Sequence, residues 1–152
     1  MFTFFGVFTD FATNLAEEIL HRWADADVVE VSTPFHGFGI RFQKSVYKPE
    51  KEDVPEPMSQ AIQEISRQNE GVRFLILRTE CFGGLCLNWG EYILNGEIVV
   101  NEEAGSPQPR GDGTLRRLIG HLGVDIGPSE IFNPLSREFP WKTSGGDRLE
   151  RH

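Results

Sequence analysis

"VRFLILRTECFGGLCLNWG", Val72 to Gly90, decides how the rest of the chain is read. Its first half holds an uninterrupted apolar centre, Phe74 to Leu77, of the kind carried by a strand buried on both faces. Gly83 and Gly84 follow, and then a second strand-like run from Leu85. Adjacent glycines accept the positive φ that both central positions of a type I′ turn require, so the stretch reads as a hairpin. In a two-residue turn Phe82 faces Leu85, and Cys81 and Cys86 form the next opposed pair. Their Cα atoms then lie roughly 4.5 to 5.5 Å apart, within reach of a disulfide, which makes the two cysteines a candidate redox pair. The competing state is two reduced thiols packed as small hydrophobes, and that is the state expected of a cytoplasmic chain.

The same register places Arg78, Glu80 and Phe82 on one face, with Leu85, Leu87 and Trp89 on the matching face of the partner strand. Arg78 stands opposite Trp89, where the two can stack, and Glu80 stands opposite Leu87. Charged groups beside exposed apolar ones compose an interaction surface, so Arg78, Glu80, Phe82 and Trp89 are candidate binding residues. The plainer reading is a sheet edge carrying a solvated ion pair.

Working back from the hairpin, "MSQAIQEISRQNEG" puts Met58, Ile62 and Ile65 on one helical face, with Gly71 where a C-cap is wanted. The proline- and acid-rich "YKPEKEDVPEP" before it reads as an exposed connection. "DVVEVS" and "GIRFQKSV" read as strands joined through the loop "TPFHGFG". At the start, "FTFFGVF" is a strand. Phe11, Leu15, Ile19 and Trp23, four apart, predict a helix from about Phe11 to Ala24 capped by Thr9 or Asp10. Strand, helix, strand, strand, helix, strand is the order of the ferredoxin-like βαββαβ unit, an antiparallel sheet with two helices on one face.

Working forward, "LCLNWGEYIL" and "EIVVN" are strands joined by Asn95-Gly96, a strong hairpin signal. The α+β sheet is therefore extended by further antiparallel strands, and "TLRRLIGHLG" adds a short C-terminal helix. Periodicity is lost from Ser136, which predicts a single α+β domain over 1–135 and a loosely ordered tail over 136–152, anchored only by Phe139 and Trp141.

Length and composition agree with one globular domain: 152 residues, 39% hydrophobic including twelve Phe and three Trp, and 25% charged. Fifteen basic against twenty-three acidic residues give a net charge of −8, which opposes binding to nucleic acid or anionic lipid and favours a basic protein partner. No run approaches the ~20 apolar residues that span a bilayer. The apolar start lacks the basic region and cleavage site of a signal peptide, so the expectation is a cytoplasmic protein.

Other chemistry finds little support. A zinc knuckle needs closer cysteine spacing and two further ligands, and the four histidines show no metal spacing with one another, so no metal is expected. No histidine neighbours either cysteine to activate it, so no catalytic residue is assigned. "FHGFGIRF" and "CFGGLC" lack the spacing of a phosphate loop opening a helix, and no cofactor is expected. His36, between Phe35 and Phe38, is the remaining candidate binding residue, either in a pocket wall or in a loop that docks its aromatics on the core.

Glu80, Phe82, Gly83 and Gly84, then Leu122, Gly123 and Val124, then Phe132, Leu135 and Trp141 form an ordered set that resembles small uncharacterised bacterial proteins with an aromatic-Gly-Gly hairpin. Some of those are similar to toxin-immunity proteins. The resemblance covers the second half, and the chain departs from it at Cys81, where an aromatic is usual, and in "LCLN", which replaces a more polar strand start. It implies a non-enzymatic inhibitor of a partner protein and carries no catalytic residues. Three expectations result: a non-enzymatic acidic protein-binding domain; a small-molecule binder or enzyme with a pocket near His36, Glu80 and Cys81; or a homo-oligomer assembled through an exposed strand.

Overall fold

The computed structural model describes residues 2–24, 26–32, 35–42, 56–103, 106–109, 112–136, 139 and 141. The expected exposed connection over 47–57 and the far end of the strand expected over 39–46 lie largely outside these residues, as does most of the expected tail.

The described chain is a mixed α and β structure with a seven-stranded antiparallel sheet and three α-helices. In chain order the elements are β1 (Phe2–Asp10), α1 (Leu15–Arg22), β2 (Asp27–Val31), β3 (Gly37–Arg41), α2 (Glu56–Gln68), β4 (Phe74–Phe82), β5 (Leu85–Leu94), β6 (Glu97–Glu103), β7 (Gln108–Pro109) and α3 (Thr114–Gly120). The sheet order is β2-β3-β1-β4-β5-β6, and β7 pairs with the start of β5. β1 and β4 thus lie in the middle, and both read as nearly continuous apolar runs because both of their faces are covered.

Alternation along these strands separates two cores. Phe5, Val7, Phe74 and Ile76 point towards α1 and α2, where they meet Leu15, Ile19, Ile62 and Ile65. Their neighbours Phe4, Phe8, Leu75 and Leu77 point to the opposite side, against Leu115, Leu118 and Ile119 of α3 and against Phe132. The second face is therefore covered as well as the first. Trp141, expected only to tether a loose tail, packs on the Phe4 and Phe8 rings, and its indole N–H donates to the Pro134 carbonyl at 3.0 Å.

α1 is shorter than its periodicity predicts, beginning at Leu15 after Asn14 in a left-handed conformation. The residues expected to open it are engaged elsewhere. Asp10 ends β1 and accepts hydrogen bonds from the Arg73 backbone N–H and guanidinium. Phe11 donates its N–H to the His36 carbonyl and stacks on the His36 and Phe38 rings. Asn95 and Gly96 both have positive φ, as the hairpin reading requires. The Asn95 side chain accepts the Gly71 N–H at 2.8 Å, which fixes the β5–β6 turn to the chain that follows α2.

Candidate functional site

The β4–β5 hairpin adopts the register read from its glycines. Phe82 pairs with Leu85, Cys81 with Cys86, Glu80 with Leu87 and Arg78 with Trp89. Gly83 and Gly84 have φ of 56° and 82°, and a Cβ added to either would meet nothing within 4 Å. Conformation rather than space accounts for glycine at both positions.

Cys81 and Cys86 are bonded to each other, with Cα atoms 4.1 Å apart. This corrects the expectation of two reduced thiols. The physical reason lies in the register, since the pair flanking a tight turn is held at the closest approach that an antiparallel ladder provides.

The two faces of the hairpin differ in kind. On the α1/α2 side, the Arg78 guanidinium lies over the Trp89 ring at 4.8 Å and 3.7 Å from a Glu80 carboxylate oxygen. Arg78 and Trp89 are only 1% and 4% exposed, so the stacking is part of the interior and offers little surface to a partner. Nearby Glu91 is also buried and accepts a hydrogen bond from the Ser59 hydroxyl on α2.

On the opposite side the hairpin forms one wall of a cleft of about 590 Å³. Thr79 and Cys81 come from β4 and Cys86 and Asn88 from β5, while Phe82 reaches it at the hairpin tip beside Gly83 and Gly84 of the turn. Leu115 of α3 and the segment from Glu130 to Phe132, with Leu135 and Ser136, complete it. Thr79 and Asn88 are directly opposed, and the Thr79 hydroxyl donates to the Asn88 side-chain carbonyl at 2.8 Å. At the mouth, Ile131 is 65% exposed and Phe82 44%. Large apolar groups gathered at a concave site are the uncommon feature, since isolated ones occur on any surface.

Glu130 holds the far wall in place. It is buried, has a positive φ of 53°, and one carboxylate oxygen accepts the N–H groups of Gly113 and Arg116, each at 3.0 Å. Two orphan donors at the start of α3 are thereby satisfied from a loop. Arg116 in turn binds Asp125 through two hydrogen bonds, of 2.7 and 2.9 Å. This pairing, followed by the Gly127 N–H, pulls the Asp125 carboxyl down to about 2.

The residues expected to form one pocket are not together. Cys81 lines the cleft and Glu80 lies on the other face of β4. His36 lies at the opposite end of β1, stacked on Phe11 and 3.3 Å from Glu30. Phe2 pairs with Cys81 and Asp10 with Gly37, so about eight strand steps, roughly 26 Å, separate His36 from the hairpin tip. Thr79, Asn88, Glu130 and Ile131 were absent from the sequence-based set. Thr79 and Asn88 were accessible from the hairpin register alone, whereas nothing local marks Glu130 and Ile131 as neighbours of residues fifty positions earlier.

Among the described residues, no group of three His, Cys, Asp or Glu side chains is placed to hold a metal ion, and no helix is long and apolar enough to cross a membrane. No family model, curated protein or solved structure matches the chain.

Proposed function

We propose that the protein is a non-enzymatic binding domain that takes an apolar segment of a partner protein into the cleft behind the Gly83-Gly84 turn. The observation that carries this reading is the exposure of Phe82 and Ile131 around one concavity. Aromatic and aliphatic anchors beside a pocket are the usual centre of a protein interface. The net charge of −8 adds the partner's chemistry, an apolar side chain flanked by Lys or Arg. Inhibition of a basic partner, as the aromatic-Gly-Gly hairpin implies, is the specific form of this proposal. The scaffold is proposed to be a ferredoxin-like βαββαβ unit. The antiparallel order β2-β3-β1-β4 and the packing of α1 and α2 on one face support that assignment.

A peptide array with one aromatic or branched apolar residue between basic residues tests the reading. Ile131→Arg and Phe82→Asp should each weaken capture at least about tenfold, the loss expected when an interface anchor is replaced by a charge. High salt should weaken it in the unsubstituted protein. Binding that ignores both substitutions would sink the assignment.

A second reading rests on the cleft volume, which falls within the ~300–1,000 Å³ of small-molecule sites. A thermal-shift screen against metabolites separates the two, since a ligand at a hundred times its Kd adds about 2.7 kcal/mol.

A further inference from the structure

Cys81 and Cys86 are the only cysteines of the chain, and they bond across a hairpin that its strand pairs already hold closed. A disulfide stabilises mainly by removing closure entropy from the unfolded chain, a gain that grows with the length of the loop. Here the loop is Phe82 to Leu85, so the bond has little entropy to remove. Its position is more informative. Both cysteines line the cleft, but unequally: Cys86 is 8% exposed, whereas Cys81 is half-buried. The turn beside them carries no side chains, and the space next to Gly83 and Gly84 is open.

We propose that Cys81–Cys86 is an exchangeable disulfide through which the cleft takes a thiol-bearing ligand, with Cys81 as the sulfur attacked. The proposal rests on the reading of the cleft as a ligand site. The ligand's thiolate forms a new S–S bond to Sγ of Cys81 as the Cys81–Cys86 bond breaks. The electron pair of the broken bond passes to Sγ of Cys86, which takes up the proton released by the ligand thiol. The products are a mixed disulfide on Cys81 and a thiol on Cys86. Attack by Cys86 reverses the step and ejects the ligand, so no oxidant or reductant is consumed. The acidic charge of the protein selects against anionic thiols and in favour of a thiol set among basic groups.

The test uses the full oxidised chain with cysteamine, a cationic thiol, and with reduced glutathione, an anionic one. Exchange is quenched in acid, free thiols are alkylated and the adduct is mapped by mass spectrometry. The cyclic peptide CFGGLC serves as the reference for intrinsic reactivity. The adduct should map to Cys81, with Cys86 alkylated. Relative to the peptide, cysteamine should outpace glutathione by about tenfold at low salt, a gap that narrows as salt rises. An adduct on Cys86, no charge preference, or no exchange where the peptide exchanges completely would each overturn the proposal. An Arg-flanked cysteine peptide that outpaces cysteamine assigns a polypeptide thiol, and the reverse order assigns a small one. Exchange that persists while cysteine-free peptides fail to bind overturns the protein-binding reading and leaves this one standing.

Discussion

Asp125 shows how a single surface contact sets a pH response. Its carboxyl is lowered from 3.8 to about 2, first by the hydrogen bonds from Arg116 and then by the Gly127 N–H. A group whose folded pKa is depressed contributes its stability above the unfolded pKa and loses it as pH falls through the folded one. The link between α3 and the following turn should therefore hold from neutral pH to about pH 4 and fade between about pH 4 and pH 2. An NMR titration should give Asp125 a midpoint near 2, and Asp125→Asn should remove that acid-limb component from the unfolding profile. A midpoint at the ordinary carboxylate value would reject the pairing. At this scale much was legible in the sequence: the opposition of Arg78 to Trp89 follows from turn length and alternation alone. The burial of that pair was not legible, because it depends on the whole α1/α2 side of the sheet and not on the hairpin.

Between elements, two kinds of glycine make contrasting predictions. A Cβ on Gly6 would overlap the Ile40 carbonyl oxygen across the β1–β3 pairing, whereas a Cβ on Gly84 meets only open space at a φ of 82°. Gly84→Ala should therefore cost about 1 kcal/mol of backbone strain and leave the fold intact. Gly6→Ala must push β3 away from the central strand β1 and should cost several-fold more. Urea denaturation of the two variants decides the order, and equal losses would contradict the close approach at Gly6. The placement of α1 teaches the same lesson about competition. The apolar period from Phe11 to Trp23 is real, but Asp10 gains a charge-assisted contact with Arg73 and Phe11 gains two ring contacts by staying outside the helix. Local periodicity cannot register partners that arrive from β3 and from the start of β4.

Across the whole molecule, the sheet is a partition between two interiors. The α1/α2 side was accessible to sequence reading because its helices carry clear periods. The other side is built from a short helix, turns and single aromatics, which leave no repeating pattern. Trp141 is the clearest example, being a residue of an apparently shapeless segment that covers Gly39 and two Phe rings. Trp141→Ala should cost about 2 kcal/mol, less than the loss of a fully enclosed Trp because the ring is half-buried. Calorimetry would register the loss, and an unchanged transition would show that the ring only rests on the surface.

The two interiors also differ in when they can be completed. Among the described residues, every buried member of the first lies between Phe5 and Ile93, whereas the second draws on Phe4 and Phe8 near the start of the sequence and on Phe132 and Trp141 much later in it. During synthesis, one side of the sheet can close while the opposite side of the same strands still lacks its cover. For that interval Phe4, Phe8, Leu75 and Leu77 form a bare apolar plane on a chain still attached to the ribosome. A bare apolar plane of this kind is the sort of transient surface through which nascent chains misassemble.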